Sequence, residues 1–326
     1  MISDSIKEKY LKDGYVVVRG VVTEAELQSF RASILAVFNA RRQASNHDGG
    51  SKALPTEQLR PTELLEHLPE VVSLQFSPTV MKVARQIFGD EFHYVNDIHI
   101  QRNQRLIDGH AGWHIDASSN FALRYLNDAL DIYRYRFAKI GVYLQSSDCP
   151  IGGSIDIVPK THRIGRIARG LVLRLLESRL NRSLSKLGNR LGLAKLIGAV
   201  SMDLHLQPGD CVIFDCRLVH RSSPAPVRSK PTTSVSEVPA DKLTVYWEIG
   251  DKPSTAKFLK NDLVRALAHE NVSQCANSSK PFSHYLRLKF PDDYPRWYVE
   301  KAEEMKVNIA QFENSRDMDI ARRIYS

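Results

Sequence analysis

Three residues in this chain have the types and the spacing to hold a metal ion. His114 and Asp116 are separated by one residue in Gly112-Trp113-His114-Ile115-Asp116. In an extended segment residues two apart face the same way, so an imidazole and a carboxylate can meet one ion together. Two ligands are too few, and a third must come from elsewhere. His220, in Val219-His220-Arg221-Ser222 just after the apolar run Val212-Ile213-Phe214, is placed to supply it across a sheet. Two imidazoles and one carboxylate on one face of an octahedral ion leave three positions open, a donor set that suits non-haem Fe(II). Open positions let a cosubstrate and dioxygen bind side by side.

The remaining histidines and the cysteines carry weaker signals. His162 follows Pro159-Lys160-Thr161 in a turn and reads as structural rather than as a ligand. His99 and His110 either face the same pocket or are satisfied polar groups, and His93 and His205 point to nothing. Cys149, Cys211, Cys216 and Cys275 contain no CxxC pair, so neither a disulfide framework nor a thiolate zinc site is expected.

The elements that must position the three ligands are legible from periodicity. Residues 91 to 101 alternate apolar and polar, as do 136 to 145 and 154 to 159; with Val212 to Phe214 and Leu243 to Ile249 these read as strands. Tyr15 to Gly20 is a further, β-branched strand after a polar helix over 4 to 13. Thr23 and Glu26 form a capping box, and Leu27, Phe30, Ile34, Val37 and Phe38 then recur on one helical face. A loop is expected over 43 to 56. Helical periodicity returns from Val71 to Phe88, restarting at Ser77-Pro78 and stopping at Gly89. Two helices after the polar first one are thus expected before residue 91. The fold class that follows is mainly β with flanking helices, an antiparallel sandwich or barrel. A helical stretch over Val299 to Phe312 and the aromatic segment Tyr294 to Tyr298 read as a cover on the body.

With 326 residues, the chain can build a substantial core, and no repeat of twenty to fifty residues is visible. Lys and Arg total 45 against 37 Asp and Glu, a formal charge of +8 that favours an anionic partner without naming one. Much of the excess lies in Gly165 to Val200, where leucines alternate with Arg166, Arg169, Arg174, Arg179, Arg182, Lys186, Arg190 and Lys195 around the one acid Glu177. This insertion reads as a plain amphipathic packing element, as a lid over an anionic substrate, or as a contact for anionic lipid. No apolar window reaches the length of a membrane span, and the N-terminus lacks the pattern of a targeting peptide; a cytoplasmic protein is expected, with 165–200 as its candidate peripheral membrane contact. No nucleic-acid module and no protein partner are indicated.

Several phrases occur together and in order. Tyr10-Leu11-Lys12-Asp13-Gly14-Tyr15-Val16-Val17-Val18, Trp113-His114-Ile115-Asp116, Gly152-Gly153-Ser154-Ile155-Asp156-Ile157-Val158-Pro159-Lys160-Thr161-His162, and Gln207-Pro208-Gly209-Asp210 leading to His220-Arg221-Ser222 resemble the landmarks of the phytanoyl-CoA hydroxylase-like family of Fe(II)/2-oxoglutarate-dependent dioxygenases. They span residues 10 to about 250. The resemblance implies a double-stranded β-helix, a jelly-roll or cupin-like core, in one dioxygenase domain over 1–326: helical support over 1–90, a core over 91–250 containing the insertion 165–200, and a cover over 251–326. It implies His114, Asp116 and His220 as iron ligands, with Fe(II) as cofactor and 2-oxoglutarate and O2 as cosubstrates. The intact Asp116 argues against halogenation, for which family members replace that carboxylate with a small residue.

The chain departs from the family where the far carboxylate of 2-oxoglutarate should meet an arginine about ten residues after the distal histidine. Position 231 is Pro231, and the loop Ser223 to Ala240 is lengthened. Two cations compete: Lys242, at the start of the strand Leu243 to Trp247 and therefore in the right place, and Arg228, which has the better fork for a carboxylate but sits in a Pro-rich loop. Lys242 is preferred. Ser222 matches a family position near that carboxylate, and Gln101, on the face of His99, resembles a polar cosubstrate contact. The reaction implied is hydroxylation of an unactivated C–H bond of a small or lipid-linked, anionic substrate, with succinate and CO2 as co-products. The missing arginine leaves one alternative, a non-catalytic β-helix that binds an anionic ligand or a membrane surface.

Overall fold

The computed structural model describes residues 5–47, 57–59, 61–102, 113–116, 136–147, 154–164, 201–223, 241–256, 259, 294–310 and 315–325. The insertion 165–200, Arg228, His110, Cys149 and Cys275 lie outside them.

Helix α1 (Ile6–Asp13) begins at a capping box in which Ser5 and Glu8 exchange side-chain-to-backbone hydrogen bonds, and it ends at Gly14, whose φ of 87° lies in the left-handed region. Strand β1 (Tyr15–Val18) follows directly. The capping box expected at Thr23 and Glu26 starts α2 (Glu24–His47), which buries Leu27, Phe30, Ile34 and Phe38. That helix runs through 43–47, which the sequence reading assigned to a loop. Strand β2 (Glu57–Leu59) leads to α3 (Pro61–His67), α4 (Pro69–Val72), a 3-10 turn over Ser73–Phe76, and α5 (Pro78–Phe88), which stops at Gly89. After the polar first helix, α2 to α5 therefore precede β3, where two were expected. Short Pro-initiated turns do not produce the long apolar periodicity that a window detects.

The larger sheet contains β3 (His93–Arg102), β4 (Phe137–Tyr143), β7 (Cys211–Asp215), β9 (Leu243–Gly250) and β10 (Asn308–Ile309) besides β1 and β2, in the order β1-β7-β4-β9-β3-β10, with β2 on β3. A smaller sheet holds β5 (Ile155–Val158) between β6 (Met202–Asp203) and β8 (Val219–Ser222). The pairing is antiparallel except for β10, which runs parallel to β3 at the edge. Residues 308–309 were expected to continue a helix; instead α6 (Arg296–Glu304) ends before them and α7 (Ser315–Tyr325) comes after. One face of the larger sheet, with Ile98, Ile100, Ile140, Ile213, Val245, Trp247 and Ile249, packs on the helical layer. From the other face Tyr15, Tyr143, Val212, Phe214 and Tyr246 pack with Ile155, Ile157 and Leu218 of the smaller-sheet side. This sandwich of two sheets with helices outside is the jelly-roll architecture, and its sheets do not close into a barrel.

The turn before β7 shows what one landmark phrase does. Gly209 has φ 83°, and a Cβ there would sit 2.5 Å from the Val22 carbonyl oxygen, so only glycine fits. Asp210 is buried and accepts hydrogen bonds from the backbone N–H groups of Gly20 and Gln207 and from Arg19. Gln207-Pro208-Gly209-Asp210 thus fastens β1 to β7 and sets the register that carries the chain on to His220.

Candidate metal centre

His220 stands on β8 and His114 faces it across an isolated antiparallel bridge, in which each backbone N–H donates to the other's carbonyl at 2.9 Å. The bridge brings the rings to 4.3 Å between centroids. Asp116, two residues on, completes the group: Oδ1 lies 3.7 Å from Nε2 of His114 and Oδ2 lies 3.6 Å from Nε2 of His220. One ligand atom from each of the three residues lies within 4.8 Å of the others, the spacing of donors around one ion. Nδ1 of His220 is 2.9 Å from the Leu218 carbonyl oxygen, a contact that fixes the ring and turns Nε2 toward Asp116. Among the described residues this is the one cluster of three or more such groups able to hold a metal ion.

The electrostatics suit a cation. Burial, with the His114 imidazole beside it, pulls the His220 pKa down to about 4, so the ring is neutral and ready to ligate at ordinary pH. Burial also opposes ionisation of Asp116, but the charges that face it, the Lys139 ammonium first, outweigh it and hold the carboxyl below the usual carboxylate range. The neighbouring Arg221 stacks on Trp113 at 4.5 Å and pairs with Asp156 at 2.8 Å, tying the His114 segment to β5 and β8.

The triad opens into a small polar cavity lined also by Gln101, Lys139, Ile155, Phe214, Ser222 and Tyr246. Gln101 and Ser222, the two polar residues expected to contact 2-oxoglutarate, are among these lining residues. In β3, Val95 faces Glu248 and His99 faces Tyr246, so the bulge between them absorbs an even number of residues and His99 and Gln101 keep the inward parity. Lys242 is 2% exposed, on the inward side of β9 with Thr244, Tyr246 and Glu248, and its ammonium donates to the Ser154 carbonyl at 3.2 Å. It does not itself line the cavity. Between these levels Tyr143 and Tyr246 hydrogen-bond through their hydroxyls at 3.1 Å. A Cβ at Gly141 would meet the Tyr246 ring at 2.7 Å, so that glycine makes room for the tyrosine.

Lys139, Glu248 and Tyr246 were not singled out from sequence. The signal was present: Lys139 and Glu248 are single charges inside otherwise apolar strands, opposite one another in the β4–β9 register. His162, by contrast, sits away from the triad, with Nε2 3.1 Å from the Leu11 carbonyl oxygen, where it pins α1 to the 3-10 turn Thr161–Arg163. Cys211 and Cys216 are buried and free.

The family model of phytanoyl-CoA dioxygenase (PhyH) matches residues 10–174, half of the chain and the part that holds His114 and Asp116. The chain belongs to this family, and with it to the Fe(II)/2-oxoglutarate-dependent dioxygenases; iron and 2-oxoglutarate are the cofactor and cosubstrate of that class. No curated protein matches it. Similar solved structures include the non-haem α-ketoglutarate-dependent epimerase SnoN from nogalamycin biosynthesis, 16% identical over 76% of this chain and 82% of that one, TM-score 0.45. HygX from Streptomyces hygroscopicus, with nickel and 2-oxoglutarate bound, is 18% identical over 74% and 84%, TM-score 0.46. EctD from S. alaskensis, with 2-oxoglutarate and 5-hydroxyectoine, is 17% identical over 78% and 77%, TM-score 0.47. Likeness at this level says nothing of the reaction catalysed.

Proposed function

We propose that the protein is a hydroxylase acting on an unactivated C–H bond of a small or lipid-linked anionic substrate, in which R–H, dioxygen and 2-oxoglutarate become R–OH, succinate and CO2. The observation that supports it most is the convergence of His114, Asp116 and His220 on one point of a polar cavity. These three residues would hold the iron, which when bound supplies the activation of dioxygen. The chain's own work is to orient and to exclude water. Leu218 fixes the His220 ring, and Phe214 and Ile155 give the cavity its apolar walls. Gln101 and Ser222 offer hydrogen bonds to 2-oxoglutarate.

Lys242 is our candidate for the far carboxylate of the cosubstrate. It shares the inward side of β9 with Tyr246, and Ser154, which accepts its hydrogen bond, adjoins Ile155, the register partner of Ser222. Arg228 remains the competing cation. A charge-assisted hydrogen bond contributes about 1.5–3 kcal/mol, so Lys242→Ala should raise the KM for 2-oxoglutarate roughly tenfold or more, with Arg228→Ala changing it much less. Equal or reversed effects, with Fe(II) binding intact in both variants, would reassign the cation.

The charge of +8 and the basic, leucine-rich stretch 165–200 support an anionic substrate and a peripheral contact with anionic lipid. No helix among the described residues is long and apolar enough to cross a membrane. The test of the reaction is succinate formation from 2-oxoglutarate with added Fe(II), followed by a screen of anionic candidates for substrate-stimulated turnover and a product heavier by one oxygen. Absence of succinate from wild type that binds iron tightly would leave only a binding role.

A further inference from the structure

Lys139 occupies an unusual place. It stands at the middle of β4, with Phe214 of β7 and Glu248 of β9 as its register partners, and its side chain is only 16% exposed. The ammonium lies 3.2 Å from Oδ2 of Asp116 and 3.2 Å from Oε1 of Glu248, whose side chain is 5% exposed. It thus joins the larger sheet to the segment that carries the carboxylate ligand, a segment whose own backbone meets the smaller sheet through the His114–His220 bridge. The two carboxylates that meet this ammonium, one buried and one partly exposed, would repel each other, and the cation between them offsets that cost.

We propose that Lys139 is a positioning residue for the iron: it engages one oxygen of Asp116 so that this ligand meets the ion through a single oxygen, and Glu248 holds the lysine in that position. This rests on the iron reading above. Coordination arithmetic gives the pairing its consequence. Two imidazoles and a carboxylate bound through one oxygen use three of six octahedral positions, and a chelating 2-oxoglutarate uses two more. The sixth is then open to dioxygen. A carboxylate bound through both oxygens closes that position without hindering the chelate. Loss of the lysine therefore has a specific signature: metal and cosubstrate still bind, and a diatomic ligand does not. Arginine, which also donates to carboxylate, should substitute in part.

The test uses nitric oxide as a spectroscopic stand-in for dioxygen, under anaerobic conditions, on wild type, Lys139→Met, Lys139→Arg and Glu248→Gln loaded with Fe(II) and 2-oxoglutarate. The expected result is that Lys139→Met binds Fe(II) and 2-oxoglutarate within about threefold of wild type but loses at least about tenfold in nitric oxide affinity. Lys139→Arg should recover most of that loss, and Glu248→Gln should lie between. Unchanged nitric oxide affinity in Lys139→Met overturns the proposal. So does a parallel fall in Fe(II) affinity that Lys139→Arg does not repair, because the lysine would then be merely structural. If wild type itself fails to bind Fe(II), the iron reading has failed, an outcome separate from either of these.

Discussion

His220 shows how far a ligand depends on its neighbours. Its ring is fixed from behind by Leu218, faces Asp116 in front, and is held neutral by burial, while Arg221 next to it braces Trp113 against Asp156. Second contacts of this kind typically matter ten- to a hundredfold in metal affinity. Arg221→Met should therefore weaken Fe(II) binding by roughly tenfold without touching a ligand, read by calorimetric titration of the metal; affinity equal to wild type would show that the cation–π and ion-pair clamp does not position His114. At this scale the sequence was informative about ligands and poor about their supports. A His-x-Asp phrase with a distant histidine announces itself, because residues two apart in an extended segment face the same way. Lys139 and Glu248 gain meaning only once β4 and β9 are known to be neighbours in register, and a single charge in an apolar strand does not tell which side it faces.

Strands and turns set the distances between those residues. Alternation over 91–101, 136–145 and 154–159, with the apolar runs Val212–Phe214 and Leu243–Ile249, located β3, β4, β5, β7 and β9 within a residue or two. What this reading misses is short: β2, β6 and β10 are two or three residues long, and β8, which carries His220, is four. Helix α2 outran its predicted end because Ala40 to His47 contains no Gly or Pro to stop it. The turn before β7 offers a clean test of an element's contribution. Gly209→Ala would force a left-handed residue into a side chain and drive a Cβ onto the Val22 carbonyl, and should destabilise the fold by at least about 1–2 kcal/mol in urea unfolding. A smaller loss would mean that the turn relaxes and does not fix the β1–β7 register.

For the molecule as a whole, two features link distant parts. His162 ties α1 to the far side of the sandwich, and burial lowers its pKa below the ordinary value. The unfolded chain therefore takes up a proton before the folded one, so the contribution of this histidine is present above about pH 6.5 and is lost as pH falls from there toward the folded value. Urea unfolding between about pH 5 and 8 should show wild type losing more stability on acidification than His162→Gln; parallel curves would remove His162 from the account. The second feature is the basic stretch 165–200. Deleting it should abolish retention on anionic vesicles if it makes the lipid contact proposed above, and unchanged retention would leave it as packing.

The central claim is that these three side chains bind one ferrous ion and use it to turn over 2-oxoglutarate. The most direct measurement is Fe(II)-dependent succinate formation by wild type and His220→Ala, with bound iron counted in the same samples. The account predicts one iron per chain and succinate production in wild type, and loss of both in the variant. Succinate formed at the wild-type rate by His220→Ala, or an iron content that does not change with that substitution, would contradict it.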